Sequence, residues 1–148
     1  MKPFSRHPAR ECSALLVLCV VAMLGCMFHT GVIRVVPPAG AEGGHRQPLS
    51  EDEIRTILDV VGDVAKSKGF DTKRTMSMPF GPRVLVYYYS PEQISISVWL
   101  ARRSASIGVQ IRDVNHTTVT PFTESIRSEI TEKVGARLPQ HAIAYEVP

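Results

Sequence analysis

RVLVYYYSPEQISISVWLARRSASIGVQIR, residues 83–112, is the stretch on which the fold turns. Arg83 to Ser90 is rich in Val and Tyr, residues that suit a half-buried pleat, and predicts a strand. Ser90-Pro91-Glu92 breaks it with a turn. Gln93 to Ala101 then alternates: Ile94, Ile96, Val98 and Leu100 point one way, Ser95, Ser97 and Trp99 the other. Arg102-Arg103-Ser104 marks a hairpin tip. Beyond it Ile107, Val109 and Ile111 alternate with Gly108, Gln110 and Arg112. Three strands joined by short turns make an antiparallel meander with one apolar face.

Each flank of the meander carries an amphipathic helix. Ser50-Glu51-Asp52-Glu53 reads as a capping box with three acidic residues at the positive end of the helix dipole. Ile54, Ile57, Leu58, Val61 and Ala65 recur at helical spacing. Gly69 is a left-handed stop, with Phe70 expected to pack back. Asp71 to Pro82 is a long connection, in which Met76 and Met78 alternate with Thr75 and Ser77 and leave room for a short edge strand. After the meander, Thr120-Pro121 opens a second helix, with Phe122, Ile126, Ile130 and Val134 as its stripe. Pro139 ends it, and Ala142 to Val147 reads as a last strand. The fold class is α+β: one domain, ordered α-β-β-β-α-β, an antiparallel sheet with two helices on one face. The other face is left to Ser95, Ser97, Trp99, Gln110, Arg112 and one side of the Tyr87-Tyr88-Tyr89 run.

The N-terminal third has a different character. Ala14 to Phe28 is unbroken apolar sequence behind Lys2, Arg6 and Arg10. A basic leader before an apolar run is a membrane-targeting signal, with the basic side held in the cytoplasm. Residues 1–36 are assigned to this signal or anchor. Residues 37–48, broken by Pro37, Pro38, Gly40, Gly43, Gly44 and Pro48, are a linker, and residues 49–148 are the domain. Three readings of the leader stand side by side. Met23-Leu24-Gly25-Cys26 resembles the bacterial lipobox. That resemblance implies cleavage before Cys26 and a lipid on its sulfur. Gly25 and Cys26 match the pattern, while Met23 and Leu24 depart from the preferred residues. The second reading is a permanent span, since Ala14 to Ile33 reaches the roughly 20 residues a bilayer requires. The third is cleavage at the small-x-small sequence Ala39-Gly40-Ala41. The overall plan is similar to that of small bacterial lipoproteins. All three readings place the domain outside the cytoplasm, at the outer membrane facing the periplasm or at the inner membrane with the domain in the periplasm.

Charge and cysteine usage remove several function classes. The chain's formal charge of +3 lies wholly in the leader: from Glu42 onward 13 Lys and Arg face 13 Asp and Glu. A domain without a basic field is a poor nucleic-acid binder. The three cysteines, Cys12, Cys19 and Cys26, all precede the domain. No disulfide, thiolate metal site or thiol nucleophile can therefore form after position 26. The chain has no Gly-rich phosphate loop and no Gly-x-Ser-x-Gly elbow, and no cofactor is expected.

What remains is a face. An aromatic on an otherwise polar sheet surface marks a contact site, or else a place where the domain's own loop, Met76 to Phe80, folds over. Trp99, Tyr88, Ser97 and Arg112 are the expected partner-binding residues, Cys26 the lipidation site. Arg102 and Arg103 read as a solvated turn or as weak contacts to lipid head groups. Asp113 and His116, with Glu124 or Glu129, could form a metal or acid–base site if they converge. The function expected is therefore a membrane-tethered interaction domain, an accessory lipoprotein of an envelope assembly or an immunity-like binder. Its partners are the membrane, through the N-terminus, and an unidentified protein. A small-ligand or lipid-binding module is the alternative, and a hydrolase a more distant one.

Overall fold

Ser50 starts the first helix as its sequence predicts. Its backbone N–H donates to Glu53 Oε2 at 2.7 Å, and the Glu53 N–H donates to Ser50 Oγ at 3.3 Å, which closes both arms of the capping box. The computed structural model describes residues 29–38, 48–73, 83–101 and 106–147. In these residues the elements are β1 (His29–Val36), α1 (Glu51–Ser67), β2 (Asp71–Lys73), β3 (Arg83–Tyr89), β4 (Ile94–Leu100), β5 (Ile107–Asp113), α2 (Pro121–Arg137) and β6 (Ala142–Glu146). Gly69, at φ +79°, takes the left-handed turn that ends α1. The Phe70 N–H then reaches back to the Ala65 carbonyl at 2.9 Å, and the Phe70 ring stacks on Phe122 of α2. Thr120 caps α2 and Pro121 fills its first turn.

The strands form one six-stranded antiparallel sheet in the order β2-β3-β4-β5-β1-β6. Both helices pack on one face. Ile57, Val60, Val61 and Val64 of α1 and Ile126, Ile130 and Val134 of α2 meet Ile33, Val35, Ile96, Val98, Ile107, Val109 and Ile111 in a single cluster. The largest fully buried side chains are all Ile or Val. These residues have few rotamers to lose on burial, and each contributes roughly 1.5–3 kcal/mol.

Two strands depart from the sequence expectation. Residues 29–36, assigned above to the leader, are a strand of the sheet, seated between β5 and β6. Ile33 and Val35 are fully buried in the core. The sheet therefore includes residues 29–36, ahead of the linker. A short apolar run reads the same in a membrane segment and in a buried strand, and here it adjoins a longer one. The distinguishing signal was β-branching, present in Thr30, Val32, Ile33, Val35 and Val36 and sparse in the leucine- and methionine-rich stretch before them. The second departure is β2, formed by Asp71–Lys73 inside the predicted connection. Met76 and Met78, offered as an edge strand, lie outside the described residues.

A β-bulge sets the phase of β3. Val84 opposes Trp99 and Val86 opposes Val98, so Leu85 is an extra residue in the ladder. Every side chain of β3 beyond Leu85 is thereby turned to the other face.

Candidate functional site: the open face of the sheet

No described element packs on the second face of the sheet, and its side chains can be read off the register in rows. One row holds Val84, Trp99, Gly108, Arg34 and Ala144; the next holds Tyr87, Ser97, Gln110, Val32 and Glu146; a third holds Asp71, Tyr89, Ser95, Arg112 and Thr30. Trp99, Val84, Tyr87, Tyr89, Val32 and Arg34 are all partly exposed. The face thus mixes aromatic, aliphatic and arginine side chains, a composition found in the buried centres of protein interfaces.

Trp99 sits between Val84 and Gly108 in the first row. Its indole lies directly over Gly108, where a Cβ would overlap the ring. Glycine on the neighbouring strand is what lets the indole lie down on the sheet. On the far side of Gly108, the Arg34 guanidinium stands 6.0 Å from the indole centroid. Arg34 also donates to Glu146 Oε2 at 2.8 Å. Both partners are substantially exposed, so this ion pair orients Arg34 more than it stabilises the fold. In the second row Ser97 Oγ is 3.4 Å from Gln110 Oε1. In the third, Ser95 is buried between Tyr89 and Arg112.

Of the residues expected to bind a partner, Trp99, Ser97 and Arg112 share this face. Tyr88 does not. It pairs with Ile96, is 9% exposed and lies in the core with its hydroxyl against Gly62 of α1. Burial, and secondarily Asp59 and Asp63, hold its phenol above the usual tyrosine range. The bulge at Leu85 is the physical reason. Without it Tyr88 would oppose Ser95 on the face of Trp99. Tyr87 and Tyr89, the other side of the tyrosine run, take the place of Tyr88. Val32 and Arg34, which the sequence reading did not include, come from the strand assigned to the leader. The residues Met76 to Phe80, considered as a cover for Trp99, lie outside the described residues, as do Cys26, Arg102 and Arg103.

The acid–base candidates separate into loop and helix contacts. Asp113, 1% exposed, receives the Asn115 N–H on one oxygen at 3.0 Å and lies 2.9 Å from His116 Nδ1 through the other. This carboxylate ties down the turn after β5. Glu124 is held by Arg127, whose Nε donates at 2.8 Å. Glu129 is held by Lys133 and Lys68 at 2.7 and 3.2 Å. The hydrogen bonds from these cations keep both glutamates below the ordinary carboxylate range, ionised and engaged. Among the described residues no three His, Cys, Asp or Glu side chains are grouped to hold a metal ion. The expected convergence with Asp113 and His116 is not formed.

No family model matches the chain, and no curated protein matches it.

Proposed function

We propose that the protein is a membrane-tethered extracytoplasmic domain that docks a protein partner through the open sheet face around Trp99. The observation that carries this reading is the asymmetry of the sheet. Two helices cover one face, while the other presents partly exposed Trp99, Tyr87, Tyr89, Val84 and Val32 beside Arg34 and Arg112 among the described residues. Rigid aromatic side chains on a sheet lose little entropy when a partner covers them, and such residues dominate interface energetics.

The tether reading draws support from the position of β1. With His29–Ile33 committed to the sheet, the apolar run available to the membrane shrinks from Ala14–Ile33 to Ala14–Phe28, 15 residues. That length falls short of the roughly 20 residues of a spanning helix and suits the apolar core of a processed signal. Cleavage near Ala41 would detach β1, a strand with a partner on each side. Cleavage before Cys26 would leave it intact and place a lipid three residues from the sheet. Lipidation of Cys26 is therefore the favoured form of the tether.

The test is crosslinking in cells followed by identification of the captured protein, with Trp99→Ala as the comparison. The variant should keep its circular dichroism spectrum and lose the crosslinked partner. A Trp99→Ala protein that retains the crosslink overturns the docking face, and one that unfolds makes Trp99 a structural residue instead.

A further inference from the structure

The strands give the domain two distinct ends. At one, His29 of β1 lies beside Asp113 of β5, and Asp113 lies beside Ile94 of β4. At the other, Val35 lies beside Ile107, and Ile107 beside Leu100. The two rows are six residues apart along the strands, about 20 Å. The apolar segment Ala14–Phe28 joins the sheet at His29, so it delivers the domain to the membrane by the first of these ends.

That end is also where the exposed apolar side chains gather. Among the described residues the exposed large hydrophobics are Val114, Val119 and Val147, at 39%, 42% and 60%. Val114 follows the last residue of β5, Val119 precedes the cap of α2, and Val147 follows the last residue of β6. Strand β6 runs antiparallel to β1 with Glu146 opposite Val32, so Val147 is on the His29 side of the sheet. All three therefore belong to the end where the tether enters: Val114 and Val119 from the loop between β5 and α2, Val147 from the end of β6. The charges there are of both signs: Lys66 and Arg112 against Asp71 and Glu92, all exposed. They supply no net attraction for an anionic surface, which leaves the apolar tips as the means of contact.

We infer that this end of the domain rests on the lipid bilayer, with Val114, Val119 and Val147 entering the head-group region and the strands standing away from the membrane. The inference rests on the tether reading above and adds an orientation to it. The open face then stands beside the membrane normal, turned sideways toward neighbouring envelope proteins. The row of Leu100, Ile107 and Val35 is then the end farther from the lipid.

The experiment uses the full chain, made in a bacterium with its N-terminal segment intact. Cofractionation with membranes is scored first. The protein is then reconstituted into vesicles of phosphatidylethanolamine and phosphatidylglycerol whose acyl chains carry bromine, a contact quencher of indole fluorescence. Trp99, five residues from the Asp113 row by its pairing with Gly108, is the built-in reporter of the open face near the opposite end. Val119→Trp and Val114→Trp place an added indole at the tether end, and Glu51→Trp places one at the opposite end. The two tether-end variants should lose most of the added emission, while the wild type and Glu51→Trp stay near their unbrominated intensity. Membrane-bound protein without quenching in either valine variant overturns the orientation and leaves the tether standing. Quenching of Trp99 in the wild type overturns it in favour of a face lying flat on lipid. A full chain that does not cofractionate with membranes overturns both the tether and the orientation.

Discussion

On its helix-covered side the sheet presents Ile33, Val35, Tyr88, Ile96, Val98, Ile107, Val109 and Ile111. On its open side it presents Val32, Arg34, Tyr87, Tyr89, Ser97, Trp99 and Arg112. The two sets come from the same strands, one residue out of phase. The first set is aliphatic and interlocked with two helices, so each member has many contacts to lose. The second is aromatic and polar, supported from beneath by the sheet alone, so a substitution removes little from the fold and much from the surface. Burial and exposure are divided by the parity of the strand, and each strand carries its own control for an experiment on its neighbour.

Strand β1 supplies the largest contrast. Ile33→Ala should destabilise the domain by about 2–5 kcal/mol, because the cavity would open in the middle of the core cluster. Val32→Ala, one residue away on the open side, should cost less than about 1 kcal/mol. Urea unfolding followed by circular dichroism measures both. A chain shortened to begin after Val36 should not fold, because β5 and β6 would face each other across a missing strand. Equal effects at Ile33 and Val32 would break the division between the faces.

The tyrosines supply the next contrast, with a pH signature. Tyr88→Ala removes a buried ring and should cost about 3 kcal/mol, while Tyr87→Ala, its neighbour on the open side, should cost about 1 kcal/mol or less. Burial, followed by the charges of Asp59 and Asp63, raises the Tyr88 pKa in the folded state. A raised pKa contributes stability that is complete below the unfolded value, about 10, and lost as pH rises through the folded one. Alkaline unfolding of the wild type should therefore include a step that Tyr88→Phe removes. A Tyr88→Phe protein that unfolds at the same alkaline midpoint would place Tyr88 outside the core.

These two contrasts also mark what the amino-acid pattern could reveal. Helix α1 was legible to its cap, since Ser50, Glu53 and Gly69 act through local backbone chemistry that needs no distant partner. The meander was legible because Ser90-Pro91-Glu92 and Arg102-Arg103-Ser104 separate strands with clean alternation. Strand β1 was not, because its pairing partners lie at residues 107–113 and 142–146, far along the chain. Hydropathy alone merged it with the leader. Trp99, Ser97 and Arg112 were placed on the correct face by alternation within β4 and β5. Tyr88 was misplaced because a bulge is a property of two strands together, and nothing in Val84-Leu85-Val86 announces it.

The smallest contrast compares two glycines, one on each face. Gly31 lies on the core side of β1 beneath Tyr145, and Gly108 lies on the open side of β5 beneath Trp99; at each a Cβ would overlap the ring above it. The rings differ in what holds them. Tyr145 carries the Arg127 guanidinium 4.8 Å from its centroid, and its hydroxyl is 3.4 Å from His29 Nε2. Trp99 has the sheet below it and Arg34 at 6.0 Å beside it. Gly31→Ala must displace a ring fixed from two sides and should cost about 1–3 kcal/mol. Gly108→Ala can lift the indole toward solvent. The backbone entropy that alanine spares, about 0.5–1 kcal/mol, offsets much of the lost contact, so the net change in stability should be within about 1 kcal/mol. Its readout is fluorescence: the emission maximum of Trp99 should move to longer wavelength as the indole leaves the sheet. An unshifted spectrum with a large loss of stability would mean that Trp99 is pinned as firmly as Tyr145. The open face would then be a packed surface and not one waiting for a partner.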